Sequence, residues 1–329
     1  MPLPAFLENR LRLPLIAAPM FLVSGPALVK AACRAGVIGS FPTANCRSLE
    51  ELDGWLVDMT GDLKRAADDS GRAAAPLCPN LIVHRSNPRL RDDLAVVLRH
   101  KVEMVITSVG SPEPVLKPLK EAGCLVLADV ASVRHAEKAI AAGVDGLVLL
   151  TAGAGGQTGW VNPFAFVRAV RALWDGIVVM AGGMADGQAV AAARLLGCDL
   201  AYMGTKFIAT RESLAKQAYK DMLVRSRLDE VQLTRAFTGL ETNMLRPSIA
   251  AAGLDPANLP LHGVLDIAQD INAAERAEPP ASGPDAKRWK DIWSAGHSVS
   301  GVTDVPSVAE LVERTACECE AAGRSVQGV

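Results

Sequence analysis

The chain has 329 residues, half of them hydrophobic, only 4% aromatic, with a formal net charge of -2. That balance leaves no global basic field and argues against a nucleic-acid partner. A core built from Ala, Val, Leu and Ile suits a buried parallel sheet under alanine-rich helices. Seven scattered cysteines and five histidines without ligand spacing argue against a metal site, and for a reducing compartment.

The first uncharged stretch, Leu13 to Val29, follows Arg10 and Arg12 in the manner of a signal-peptide core. Pro14, Pro19, Gly25 and Pro26 would break such a core, so it reads as a first strand, 15–19, and a loop. Further apolar runs predict strands at 36–40, 77–83, 103–108, 124–130, 145–150, 176–183 and 199–205. Amphipathic segments near 24–35, 48–69, 88–100, 113–122, 132–142, 162–173 and 186–197 alternate with them. Eight short strands, each followed by a helix, is the order of an α/β fold of the (β/α)8 TIM-barrel type. A doubly wound sheet would usually need fewer strands.

Gly123, Gly143 and Gly197 read as helix C-caps. Gly146 to Val167 is also uncharged, but its Gly, Asn and Pro content excludes a membrane helix. A cytoplasmic protein without membrane contact is expected.

After Thr205 the rhythm changes. Residues 213–275 hold helical stretches interrupted by Pro247, Pro256 and Pro260, which predicts a smaller, mostly helical cap inserted after the eighth strand. The expected division is a barrel over 1–212, a cap and substrate region over 213–275, and a returning segment over 276–329. In that last part 276–289 reads as a loop and Ser307–Ala322 as a helix. A ligand is expected between barrel and cap, at the C-terminal ends of the strands. Nothing in the pattern decides for or against a homodimer.

Glycines follow the last two strands directly: the pair Gly182–Gly183 behind Ala181, and Gly204 before Thr205. The loops after strands seven and eight are the usual phosphate site of this barrel, because bare backbone amides can approach the anion. Ordinary strand-to-helix turns are the alternative. Lys206 and Arg211 lie near enough to contribute, although solvated surface charge is the commoner fate. A third glycine cluster, "TAGAGGQTGW" at 151–160, places Gly153, Gly155 and Gly156 before a single amide, Gln157.

Taken together, "PLIAAPMFLVSGPALVKAACRAGVIGSF", "GAGGQTGWVNPFAFV", "AGGMADG", "AYMGTKFIATRES", "LRPSIAAAGLDP" and "DIWSAGHSVSGV" resemble the FMN-dependent nitronate monooxygenases, formerly called 2-nitropropane dioxygenases. The resemblance runs from about residue 12 to residue 322. It extends to NAD(P)H:quinone reductases and FMN-type enoyl-acyl-carrier-protein reductases of the same superfamily. It implies an FMN across the barrel mouth, with its phosphate on Gly182, Gly183, Gly204 and Thr205 beside Ala181. Ala18, Pro19 and Met20 would pass along the ring system, Asn80 would hydrogen-bond near it, and Gly155 and Gly156 would press close. Asp129 occupies a position where relatives often carry a lysine facing the flavin. Its alternative reading is an N-cap for the helix from Ser132.

Two departures fall at the reacting end. Most relatives place a histidine, the candidate base for the α-proton of a nitroalkane, where this chain has Gln157. An amide cannot take a proton near neutral pH; it can orient a nitro or carbonyl oxygen, or satisfy local backbone. Relatives usually carry a pocket-lining tyrosine where this chain has Met244, which suits either a flexible pocket wall or the core. A nitronate is already an anion and needs no protein base, only electron transfer to FMN and then to O2. The resemblance therefore implies nitronate oxidation with little nitroalkane turnover. His297 or His262 could replace the base, but neither lies in the motif that places it. An NAD(P)H-dependent flavin reductase of quinones or enoyl substrates, and a flavin-binding homologue that has lost catalysis, remain the alternatives.

Overall fold

The computed structural model describes residues 3–260 and 290–327. Eight parallel strands close into a barrel in the order β1 (Leu15–Ala17), β2 (Ile38–Pro42), β3 (Leu77–Ile82), β4 (Met104–Ser108), β5 (Leu125–Val130), β6 (Gly146–Leu150), β8 (Ile177–Ala181) and β9 (Leu200–Met203). β9 pairs back onto β1, with Ile16 opposite Tyr202. The TIM barrel expected from the sequence is present; seven of its eight strands lie inside their expected runs, and β2 extends two residues beyond the expected 36–40.

Alternation along the strands makes two apolar layers. Ile16, Ile38, Cys78, Ile106, Leu127, Val148, Val179 and Leu200 point inward and fill the barrel. The residues between them face the helices and form the larger cluster. Leu7 of the short helix α1 (Ala5–Glu8) joins the inner cluster and closes the N-terminal end of the barrel. Arg10, just beyond it, bonds Ala74 and Glu103, which precede β3 and β4.

The helices follow their local signals. α3 (Leu49–Ser70) starts where Ser48 Oγ accepts from Glu51 N–H and buries Leu52, Leu56 and Met59 at helical spacing. Gly143 and Gly197 cap α6 (Val133–Ala142) and α8 (Gly187–Leu196) as read, while Gly123 lies one residue past the cap of α5 (Glu113–Glu121). The C-terminal helix Val308–Gln327 packs on α8 and on α2 (Pro26–Arg34). Among the described residues, no helix is long and apolar enough to cross a membrane.

The segment after β9 carries α10 (Gln217–Arg225) and α11 (Arg246–Ala251). It also holds a small antiparallel sheet: β10 (Val231–Thr234), β11 (Thr242–Leu245) and β7 (Gly156–Gln157). Thr242 pairs with Gln157 and Asn243 with Gly156, so the glycine-rich loop is stitched to the cap as an edge strand. Residues 261–289 lie outside the described residues; they include His262, the end of the expected cap and the loop 276–289.

Candidate active site

The floor of the site follows from strand register. One step of two beyond the inward core residues Cys78, Ile106, Leu127, Val148, Val179 and Leu200 come Asn80, Ser108, Asp129, Leu150, Ala181 and Tyr202. All six line a cleft of about 1410 Å³, counting the space open at its mouth, above the C-terminal ends of the strands. Four of them are polar.

Asn80 is buried and donates from Nδ2 to Ser108 Oγ at 3.1 Å and to the Ile106 carbonyl at 3.3 Å. Asp129 has a different surrounding: its Oδ1 is buried and makes no hydrogen bond. Burial pushes this carboxyl up to about 8. The capping reading of Asp129 does not hold, because Ser132 caps α6 itself, accepting from His135 N–H at 3.2 Å. Tyr202, half-buried, is held well above the ordinary phenol range by desolvation and then by the nearby Asp129 charge.

One wall is the loop after β1, carrying Ala18, Pro19, Met20 and Phe21. Ala18 N–H donates to Met203, and Asn45 clamps the turn, donating to Met20 and Ser24 and accepting from Leu22 N–H at 2.9 Å. Leu22, at φ 59°, takes a left-handed conformation that this clamp holds in place. On the opposite side Gly182 and Gly183, at φ +113° and +73°, open the loop after β8. A side chain on Gly182 would meet Thr151 Oγ1 at 2.5 Å, whereas the space beside Gly183 is empty. The N–H groups of Gly183 and Met184 donate to no described protein acceptor. Gly204 and Thr205 border the same hollow, and Thr205 Oγ1 accepts from Gly296 N–H, which leaves its own proton to donate. Open amides, a free hydroxyl and a bare glycine surface fit a flavin phosphate. Lys206 and Arg211 do not join them: Lys206 Nζ donates to the Gly301 carbonyl, and Arg211 pairs with Glu310 at 2.8 Å.

The loop 151–160 forms the third side. Gly155, Gly156 and Gln157 line the cleft, and the Gln157 side-chain amide makes no hydrogen bond to another described residue, so it does not serve local backbone. The glycines before it answer first to the chain itself. A Cβ on Gly153 would lie 2.7 Å from His297 Nδ1, and one on Gly155 2.6 Å from Gly296 N. The segment 293–301 is thus what presses on these two glycines.

That segment also brings Trp293 onto Tyr219 of α10, with ring centroids 4.9 Å apart and planes at 13°, as an aromatic wall of the cleft. His297 is exposed and is not among the lining residues. Met244 is a correction to the pocket-wall reading. It is fully buried in the cap with Ile249, Ala252 and Ile292, because its neighbour Asn243 takes the barrel-facing side of β11 and bonds the Ala154 carbonyl. Ser108, Tyr202, Tyr219 and Trp293 were not anticipated. For Ser108 and Tyr202 the signal was available, as the step of two beyond an inward strand residue. Tyr219 and Trp293 meet through tertiary packing and carry no local signal.

A closed barrel with a glycine-lined hollow on its last two strand loops and a cleft above its floor is the frame of a flavin-dependent oxidoreductase. The chain belongs to the nitronate monooxygenase family, whose profile matches residues 6–318. It is 30% identical over 304 residues to the nitronate monooxygenase of Paraburkholderia phytofirmans, covering 80% of this chain and 83% of that protein. Its fold is similar to that of FabK from Thermotoga maritima, with a TM-score of 0.78, 24% identity and coverage of 97% and 96% of the two chains. The nitroalkane oxidase of Streptomyces ansochromogenes is similar too, with a TM-score of 0.74, 24% identity and coverage of 98% and 100%.

Proposed function

We propose that the protein uses FMN to oxidise alkyl nitronates, with O2 as the oxidant and little turnover of neutral nitroalkanes. The observation that carries this reading is Gln157: it lines the cleft, its side chain has no hydrogen bond to another described residue, and the described lining residues include no His, Lys or Arg. Such a site can orient a preformed anion through neutral donors. Its one carboxyl among the described lining residues, Asp129, is held protonated near neutral pH by burial, so no ready base for a carbon acid is offered there, and a missing base costs roughly 10²–10⁴-fold. The Gln157 amide donates to a nitronate oxygen, and the wall of Phe21, Ala44, Ile82 and Val109 takes the alkyl part. Gly182, Gly183, Gly204 and Thr205 would hold the FMN phosphate, and Asn80, Asp129, Ala18, Pro19 and Met20 would line its ring system. Bound flavin supplies the electron acceptor and the path from substrate to oxygen. Nothing else is asked of a partner than the small-molecule substrate and O2.

The test is anaerobic mixing of FMN-loaded protein with propane-2-nitronate, 2-nitropropane, NADH and NADPH, followed by flavin absorbance. Rapid bleaching by the nitronate alone supports the reading. Bleaching by NADH or NADPH instead would assign a reductase, and a protein that stays yellow with all four would be a flavin binder without this chemistry. A colourless protein that takes up no FMN would sink it.

A further inference from the structure

Three titratable side chains line the cleft among the described residues: Asp129, Tyr202 and Tyr219. Tyr219 already donates its O–H to the Ser294 carbonyl. Asp129 is the group without a settled partner, for its Oδ1 is buried and unbonded. The strands on either side of β5 face the barrel with Ile106 and Ser108 on β4 and Val148 and Leu150 on β6, none of which titrates. Across the barrel, Cys78 and Tyr202 feel the Asp129 charge, and both are held protonated by burial. No cation lines the cleft to balance a carboxylate among the described residues. An ionised Asp129 would be an unpaired buried charge, and it would repel any anion brought above it. A proton on Asp129 removes both penalties and turns a repelling group into a donor.

We propose that Asp129 is the proton-holding group of the cleft: it meets its ligand as the neutral acid and donates its O–H to an electron-rich nitrogen or oxygen of a planar ligand. This rests on the flavin and nitronate reading of the cleft. The acceptor is either an atom of the flavin ring or an oxygen of the substrate anion, and the two share that chemistry. No bond breaks in the step; the proton stays on Asp129 while the hydrogen bond forms. The consequence is a cleft that accepts its anionic ligand only while that proton is on.

Infrared difference spectra of the ligand-free protein against Asp129→Asn read the carboxyl directly. A protonated band is expected at neutral pH, disappearing with a midpoint near pH 8. Two titrations then separate the sources of the acceptor. One adds FMN to the apoprotein, the other adds sodium nitrate, a planar anion that flavin does not oxidise, to the FMN-loaded protein. In at least one of them affinity should fall by up to about tenfold per pH unit above the midpoint, as one linked proton requires. Asp129→Asn, whose amide donates at any pH, should bind within about threefold of wild type near pH 6 and lose that slope. Asp129→Leu should bind weakly throughout. An ionised carboxyl at neutral pH, flat profiles in both titrations, or the same slope in Asp129→Asn would overturn the proposal. Flat profiles with normal FMN uptake would leave the flavin reading standing, whereas absent FMN uptake would remove both.

Discussion

Gln157 offers an amide that donates and accepts but never titrates near neutral pH. Gln157→His would place an imidazole on the same edge strand, held by the pairing of Gln157 with Thr242. Turnover of neutral nitroalkanes should then rise by about 10²–10⁴-fold in steady-state assays, with FMN affinity unchanged. Asp129 makes a second prediction at this scale, on stability. Its carboxyl moves from 3.8 to about 8 on folding, so the native state holds the extra proton between those values. Stability is therefore lost as pH rises from about 4 to about 8 and is level above that. Asp129→Asn should melt above wild type near pH 7, by about 1 kcal/mol or more, with the gap closing toward pH 4. A melting series that shows no gap would contradict it. The cleft-lining glycines Gly182, Gly183 and Gly204 were legible because they stand directly behind apolar runs. Met244 was not, since its side of β11 depends on the pairing of a four-residue strand with Gly156–Gln157, and no periodicity resolves four residues.

At the level of elements, the site depends on the meeting of the loop 151–160 with the segment 293–301. His297 N–H donates to the Gly153 carbonyl and Gly296 N–H to Thr205 Oγ1, so this contact also fixes the edge of the phosphate cradle. Gly155→Ala would drive a methyl against Gly296 N and the Ala295 carbonyl carbon, backbone atoms that cannot rotate away. It should cost about 1–3 kcal/mol in denaturant melts and weaken FMN binding along with it. A second support sits behind β2, where Thr43 donates to Asp93 at 2.8 Å and Arg89 pairs with the same carboxylate at 2.9 Å. Asp93 is 1% exposed, and Arg89 also bonds the Cys46 carbonyl. Asp93→Ala leaves the guanidinium without its counter-charge, held only by the Cys46 carbonyl, and should cost about 3–5 kcal/mol by chemical denaturation. The eight barrel strands could be read in advance because each is an apolar run between helical patterns. β7, β10 and β11 could not, being two to four residues long and held by partners distant in sequence.

Over the whole molecule, chemistry and stability are separated by height in the barrel. Leu7, Ile16, Ile38 and Leu127 seal the lower and middle layers, and the polar layer of Asn80, Ser108, Asp129 and Tyr202 lies one step above. A ligand seated there bridges the barrel, the loop after β6 and the segment 293–301. FMN at about 100 times its dissociation constant should therefore stabilise the fold by about 2.7 kcal/mol, visible as a raised melting temperature. On the proposed function, this cleft orients an anion made elsewhere and does not make one. The most direct test of that is the ratio of anaerobic flavin-reduction rates with propane-2-nitronate and 2-nitropropane near pH 7, on the same FMN-loaded protein. The nitronate should be faster by about 100-fold or more. Equal rates, or a faster nitroalkane, would show that a base is at work in the cleft and would contradict it.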